Sequence, residues 1–342
     1  MNTIEIVGKT KKSTLLFGEK LDNVLAYTGG HSVFIITDTQ VAKLYGNQFP
    51  AGDCFRIGIG ESVKTADTVM AIYDSLLRMG YDRSTFVLGI GGGLVCDIAG
   101  FVASTYMRGN RFGFVPTTLL AQVDAAIGGK NGFNFGGYKN IIGTFNQPDF
   151  ILSDFSLLNS LSTDELKNGI AESIKHALIG DSYLFDLLMD KNKEIMACDM
   201  ETLSELIERS AKVKIEVVNR DETETNLRKI LNFGHTLGHA VEICESQAHG
   251  KAVSVGMAFA AAISNRYGMI TEGVYESILA LLDLYGLPNK TTRAPAELLE
   301  KMVKDKKKRG EIVDFILLKG IGEPVIKGIQ LDELEVLVND LC

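Results

Sequence analysis

The spacing of apolar residues changes along the chain. In the first part, short apolar runs alternate with helical stretches. Residues 32–37 form a β-branched run that ends at Asp38, and residues 85–90 form another that leads into Gly91-Gly92-Gly93. Between them, Val69, Ile72, Leu76 and Leu77 recur at helical intervals within 65–79. A second helical stretch covers 94–104 and a strand-like run covers 112–115. Strand, helix, strand, glycine turn, helix, strand is the order of a mostly parallel α/β sheet, because parallel strands need long crossovers. From about residue 160 helical periodicity takes over, at 165–179, 200–219, 227–244, 252–267, 275–284 and 296–304, with 312–318 the one strand-like run. The pattern predicts an α/β domain over 1–158 and an all-helical domain over 159–342, with the boundary near 154–161. A cleft between two such domains is where a ligand is expected.

Composition narrows the function classes. The net charge is −8 and no long basic stripe occurs, so nucleic acid is not an expected partner. The one basic cluster, 304–309, is short and broken by Asp305. Cys54, Cys96, Cys198, Cys244 and Cys342 are scattered without a Cys-x-x-Cys pair, which argues against a disulfide framework or a thiolate zinc site. The first residues lack a cationic stretch followed by an apolar one, and no signal peptide is expected. The most apolar stretch, 253–263, is too short to span a bilayer and contains Ser254 and Gly256. A cytoplasmic location with no membrane partner is the expectation.

Gly91-Gly92-Gly93 follows a strand and opens a helix, where backbone N–H groups can approach a pyrophosphate. The same glycines also suit a plain tight turn, and the motif is not GxGxxG. Asp38, ending an earlier strand, could bind ribose hydroxyls or cap a helix. Residues 115–145 read as a long glycine-rich loop, and such loops inside compact domains are usually functional. Lys130, Lys139, Asp124 and Asn140 are its candidate polar groups.

Three of the five histidines fall within 235–249. On one continuous helix Arg228, Asn232, His235 and His239 share a face, opposite Leu237, Val241 and Cys244. A face of that chemistry belongs in a polar cleft. Glu172 and Lys175 lie three apart on another predicted helix, either as a helical ion pair or with the carboxylate buried and holding a cation. Glu172 with two of His235, His239 and His249 would make the three-ligand site of a catalytic zinc. Spacing alone favours His235 with His239. His249, preceding Gly250 at a helix start, stays open.

These residues resemble the 3-dehydroquinate synthases. The matching stretches are Gly91-Gly-Gly-Leu-Val-Cys-Asp-Ile-Ala-Gly-Phe101, Tyr106-Met-Arg-Gly109, Val115-Pro-Thr-Thr-Leu-Leu-Ala-Gln-Val-Asp124, Gly128-Gly-Lys130, Lys139-Asn140, Ala171-Glu-Ser-Ile-Lys-His-Ala177, Arg220-Asp221, Leu231-Asn-Phe-Gly-His-Thr-Leu-Gly-His-Ala240, His249-Gly250 and Asp305-Lys-Lys307. They occur in family order over nearly the whole chain. The resemblance implies a Rossmann-like NAD-binding domain, a helical metal domain and a homodimer. It implies conversion of 3-deoxy-D-arabino-heptulosonate 7-phosphate to 3-dehydroquinate and phosphate, through transient oxidation by NAD, β-elimination of phosphate, re-reduction and an intramolecular aldol closure. By the same resemblance the metal, zinc or cobalt, is held by Glu172, His235 and His249. NAD is held by Asp38, Glu61, Lys64, Gly92, Gly93, Asp97, Thr117, Thr118, Lys130 and Lys139, with Leu157, Leu158, Asn159 and Ser160. Substrate is surrounded by Asp124, Lys130, Asn140, Lys175, Lys214, Arg228, Asn232, His239 and Lys306, with Arg108 reaching the phosphate, in the neighbouring subunit by one reading.

The chain departs from the family pattern at Ala125-Ala126 and over Asn131-Gly-Phe-Asn134 and Phe135-Gly-Gly-Tyr138. Competing readings are another sugar phosphate cyclase (2-deoxy-scyllo-inosose, 2-epi-5-epi-valiolone or aminodehydroquinate type), a metal-dependent glycerol or alcohol dehydrogenase, and a non-catalytic nucleotide-binding module. The set Lys214, Arg228 and Asn232 favours an acidic substrate. A dehydrogenase would not need so many cations, and a binding module would not need the His/Glu cluster.

Overall fold

The computed structural model describes residues 2–8, 11–245, 247–304 and 312–342, the side chains at 303 and 304 excepted. The chain forms two compact units, Met1–Ser162 with Lys214–Thr223, and Thr163–Val213 with Glu224–Cys342.

In the first unit, β1 (Asn2–Val7) and β2 (Lys12–Phe17) precede an alternation of β3 (Val33–Asp38), α1 (Thr39–Tyr45), β4 (Asp53–Ile57), α2 (Ala66–Arg78), β5 (Phe86–Gly91), α3 (Gly93–Thr105) and β6 (Arg111–Pro116). Strands β7 (Lys130–Phe135), β8 (Tyr138–Phe145) and β9 (Phe150–Ser153) complete it. Among the described residues, seven strands form one sheet in the order β1-β2-β9-β6-β5-β3-β4, parallel except where β1 meets β2. β3 and β5 are buried almost end to end. That is why their sequences are unbroken apolar runs rather than alternating ones. The strand order reverses at β3, which has β4 on one side and β5 on the other. Ligands of such sheets bind outside the carboxyl ends of the strands at the reversal. Asp38 ends β3 there, and Gly91 ends β5, with Gly92 and Gly93 leading straight into α3.

Residues 115–145, expected as a loop, are ordered instead. Ala121–Ala125 is a π-helical turn, and β7 and β8 pair as an antiparallel hairpin. Gly136 and Gly137 have φ of +59° and +81°. Two left-handed residues in succession are what a two-residue hairpin turn of matching twist requires.

The second unit contains α4 (Thr163–Gly180), α5 (Ser182–Asp190), α6 (Asn192–Met196), most of α7 (Met200–Arg220), α8 (His235–Glu245), α9 (His249–Arg266), α10 (Glu272–Leu284), α11 (Pro295–Lys304), the hairpin β10 (Ile312–Gly320) and β11 (Glu323–Gln330), and α12 (Leu331–Leu341). Among the described residues it is therefore helical with one added hairpin, α5, α6, β11 and α12 going beyond the sequence pattern. The last two turns of α7, from Lys214, and the residues after it to Thr223 belong with the first unit. There Val7 N–H donates to Asn219 Oδ1 (2.8 Å) and Gln147 Nε2 donates to Glu222 Oε1 (2.9 Å).

α9 is buried on nearly all sides, as its small and apolar residues allow. It packs against α4, α8, α10 and β10. The contact with α8 corrects the expected continuous helix over 227–244. Residues Leu227–Asn232 form a 3₁₀ turn, the chain breaks at Gly234 (φ +77°), and α8 starts at His235. Gly234 lies against α9. A Cβ there would sit 2.6 Å from Met257 Cγ, and a Cβ on Gly256 would sit 1.8 Å from the Gly234 carbonyl oxygen. The backbones touch, and only glycine fits on both sides. Arg228 and Asn232 thus precede the helix that carries His235 and His239, and the four do not share one helical face.

Gly256→Ala should destabilise the protein by about 1–3 kcal/mol, because the atoms its Cβ would meet, of Gly234 and Gly238, are all backbone. Urea unfolding measures this, and a change within about 0.5 kcal/mol would show that α8 and α9 can separate at little cost.

Candidate functional site

Glu172 sits mid-way along α4, where every residue from Asn168 to Ile179 is buried. Its side chain has 0% exposure and forms an ion pair with Lys175, one turn on and equally enclosed at 2%. Burying an ionised carboxylate costs several kcal/mol unless opposite charge meets it. His249, the first residue of α9, supplies more. Its Nε2 lies 3.2 Å from Glu172 Oε1, and His235 Nε2 lies 3.6 Å from the same oxygen. The three ligand atoms are all within 4.8 Å of one another.

The other ring nitrogens are engaged. His235 Nδ1 meets the Phe233 carbonyl at 3.1 Å, and His249 Nδ1 meets Glu242 Oε2 at 3.3 Å. Each contact leaves Nε2 directed at Glu172. Burial pushes His235 down to about 3, with Lys175, His249 and His239 adding to that push and Glu172 opposing it. Burial also lowers His249, but its hydrogen bonds to Glu172 and Glu242 outweigh this and push it up to about 10. The charges are then two carboxylates against one ammonium and one imidazolium, and the proton on His249 stands where a cation could. Two imidazoles and a carboxylate, with the outer nitrogens already hydrogen-bonded, fit a borderline divalent ion such as zinc or cobalt. The ring centroid of His239 is 5.3 Å from that of His235 and 6.4 Å from that of His249, and His239 is exposed. Arg228 is buried, and Asn232 Nδ2 donates to Glu224 Oε1 at 2.5 Å.

In the first unit the candidate residues form two charge clusters. Lys64 is buried and donates to both the Asp97 carboxylate and Asn140 Oδ1 (2.5 Å each). Burial raises Asp97 above its usual range, against the pull of Lys64. Asn140 is held in a left-handed conformation (φ +51°) by Asn134, whose Oδ1 accepts from Asn140 N–H (2.8 Å) while its Nδ2 donates to Glu61 Oε1 (2.7 Å). The second cluster is Lys214, which donates to both the backbone oxygen (2.7 Å) and Oδ1 (2.8 Å) of Asp124.

At the carboxyl end of β3, Asp38 Oδ1 accepts from Gln40 and Val41 N–H, capping α1. Gly92 caps α3 with an ordinary negative φ. Cβ atoms on Gly91, Gly92 and Gly93 would press on Val95, Thr118 and Ala125, so the triplet is needed for close packing. Thr117 is buried, with its N–H donating to Gly91 O (2.9 Å), and Thr118 Oγ1 accepts from Ala121 N–H. The side chains of Leu157 and Leu158 point into the core, so only their backbone is available to a ligand, beside exposed Asn159 and Ser160. Lys130 and Lys139 are exposed on the hairpin, and Arg108 is exposed in a strained left-handed pair with Met107. Lys306 lies outside the described residues. Sequence reasoning missed Glu242, Asn134 and Glu224. Their only signal was a polar residue near a motif, and their partners are remote or across a turn.

Binding of a divalent ion should release a proton from His249, and the apparent affinity should rise as pH increases toward about 10. Calorimetric titration of zinc in buffers of different ionisation enthalpy measures the proton, and a pH-independent affinity would show that His249 is not the group displaced.

Two family models match consecutive stretches of the chain, 3-dehydroquinate synthase N-terminal over 54–168 and 3-dehydroquinate synthase C-terminal over 169–308. A 3-dehydroquinate synthase of Saccharolobus solfataricus is 42% identical over 296 residues, 81% of this chain and 84% of that protein. Among solved structures, 2-epi-5-epi-valiolone synthase from Streptomyces hygroscopicus, with NAD⁺ and Zn²⁺ bound, superposes with a TM-score of 0.89 at 28% identity over 98% of each chain. A 2-deoxy-scyllo-inosose synthase complexed with carbaglucose-6-phosphate, NAD⁺ and Co²⁺ gives 0.85 at 26% identity, covering 99% of this chain and 100% of that one.

Proposed function

The chain belongs to the 3-dehydroquinate synthase family, and from that premise we propose that it converts 3-deoxy-D-arabino-heptulosonate 7-phosphate to 3-dehydroquinate and inorganic phosphate, using NAD and one zinc or cobalt ion. The observation that carries the reading is the convergence of Glu172, His235 and His249 on one point beside Lys175. Bound there, a dication would orient substrate hydroxyls and ease loss of a hydroxyl proton, while NAD would carry a hydride away and return it.

The chain's own residues bind and position. Lys175 fixes the Glu172 carboxylate. His239, exposed one turn beyond His235, is placed to meet the phosphate. Arg228 and Asn232, just before α8, and Lys214, fixed by Asp124, suit the substrate carboxylate. Asn140 spends its oxygen on Lys64 and so offers its amide N–H₂ to the substrate. Lys130 and Lys306 add positive charge, and Arg108 reaches the phosphate of a homodimer's neighbouring subunit. Asp38, Glu61, Lys64, Gly92, Gly93, Asp97, Thr117, Thr118, Lys130, Lys139 and the segment 157–160 hold NAD at the strand-order reversal. The sibling cyclases are supported less, at 28% and 26% identity against 42%. No described helix is long and apolar enough to cross a membrane.

With NAD⁺ and a divalent ion, the purified protein should release phosphate from this substrate without accumulating NADH. Failure to do so, together with turnover of another sugar phosphate, would assign a sibling cyclase, and NADH accumulating with glycerol would assign a dehydrogenase. His235→Ala should lose bound metal, whereas His239→Ala should keep it and lose phosphate release. Equal metal loss in both, by elemental analysis, would reject the ligand set.

A further inference from the structure

We propose that Glu242 is a positioning residue for the metal ligand His249, fixing its ring through a carboxylate–imidazole hydrogen bond; this rests on the metal-binding reading of Glu172, His235 and His249. The three ligands are not equally secured. Glu172 is fully enclosed and tied to Lys175. His235 is 13% exposed, and its Nδ1 meets the Phe233 carbonyl within its own segment. His249 is 32% exposed and is the first residue of α9, whose cap, Ala248, makes no side-chain hydrogen bond. Its backbone is placed by the next residue. Gly250 lies against α4, where a Cβ would be 2.7 Å from Asn168 Cα, and its N–H donates to Asn168 Oδ1 (3.2 Å). That contact sets where the ring starts and not how it turns.

Glu242 settles the turn. It lies on α8 seven residues after His235, and its Oε2 is 3.3 Å from His249 Nδ1. Its side chain is 12% exposed, which strengthens the pairing relative to a surface contact. With the Nδ1 proton directed at Glu242, Nε2 faces Glu172, and loss of the Nε2 proton would leave its lone pair directed at the ion position, as a ligand must be. The carboxylate also makes the imidazole a better donor, and it offsets the unfavourable positive end of α9 beneath a cation. A carboxylate therefore orients His249, where a neutral carbonyl serves His235.

The test is metal affinity. Protein stripped with chelator is titrated with zinc against a chromophoric competitor, for the wild type and for Glu242→Gln, Glu242→Asp and Glu242→Ala. Expected is a loss of roughly 10–100-fold in Glu242→Gln, more in Glu242→Ala and partial recovery in Glu242→Asp. The visible spectrum of the cobalt-loaded Glu242→Gln protein should shift, while metal-free Glu242→Gln should stay folded at the titration temperature, with a somewhat lower thermal midpoint from the lost contact with protonated His249. If Glu242→Ala does not fold, the near-isosteric Glu242→Gln decides. Zinc affinity of Glu242→Gln within about twofold of wild type overturns the proposal and leaves the metal site standing. No zinc binding by the wild type itself would overturn both.

Discussion

The fully enclosed carboxylate of Glu172 is the constraint on which the second unit turns. An ion in that position must be met by opposite charge, and α4 alone supplies only Lys175. The rest has to come from another element, and His249 on α9 provides it. α9 can reach Glu172 only if it lies backbone to backbone on its neighbours. Gly250 lets it do so against Asn168 of α4, and Gly234, Gly238 and Gly256 let it do so against the start of α8. Glycines far apart in the sequence thus serve one electrostatic requirement. A side chain at any of them would move the imidazole away from the carboxylate and leave a buried charge under-compensated.

The first unit manages charge differently. Its candidate cations are held by partners: Lys64 by Asp97 and Asn140, Lys214 by Asp124. In a protein of net charge −8 this keeps each ammonium at a fixed point. Groups so fixed need little rearrangement when a ligand's charge arrives, which is the basis of electrostatic preorganisation. Asn134 extends the same order to the backbone, joining Glu61 to Asn140 and holding Asn140 in a conformation that non-glycine residues seldom adopt. The exposed hairpin is tied to the body of the unit by side-chain amides of this kind.

The sheet and most helices were legible in the sequence because burial imposes their periods. β3 and β5 are apolar almost throughout because both faces are covered, and α2 shows the spacing of the face it buries, Val69, Ile72 and Leu76. The failures have equally definite causes. The stretch 227–244 shows a helical spacing of apolar residues across a broken backbone, since the spacing does not register a 3₁₀ turn or one left-handed glycine. Phe135-Gly-Gly-Tyr138 carried a two-residue hairpin signal, but the surrounding glycines made it read as loop. At the site, residue types were legible and pairings were not. Glu172 was recognised as a carboxylate needing a cation, while Glu242 gave no sign of its partner, because His249 lies across a turn rather than along the helix.

The two histidines of α8 show why. A pair at i, i+4 on one helix is compatible with a shared ion, and nothing in that spacing ranks one residue over the other. The ranking depends on where another helix arrives. α9 runs back along α8, with Ala252 to Met257 against Gly234 and Gly238 and its first residue beside Glu242, and the ring of His249 lies nearer to that of His235 than to that of His239 (5.4 against 6.4 Å). Gly234 makes His235 the first residue of α8, with the Phe233 carbonyl beside its Nδ1. His239, one turn along, is out in solvent. The same break separates Arg228 and Asn232 from the helix while keeping them before its start. Helical spacing thus named the right side chains for a mistaken reason. What gathers them is the glycine-mediated docking of α9, a tertiary event that no period within one segment encodes.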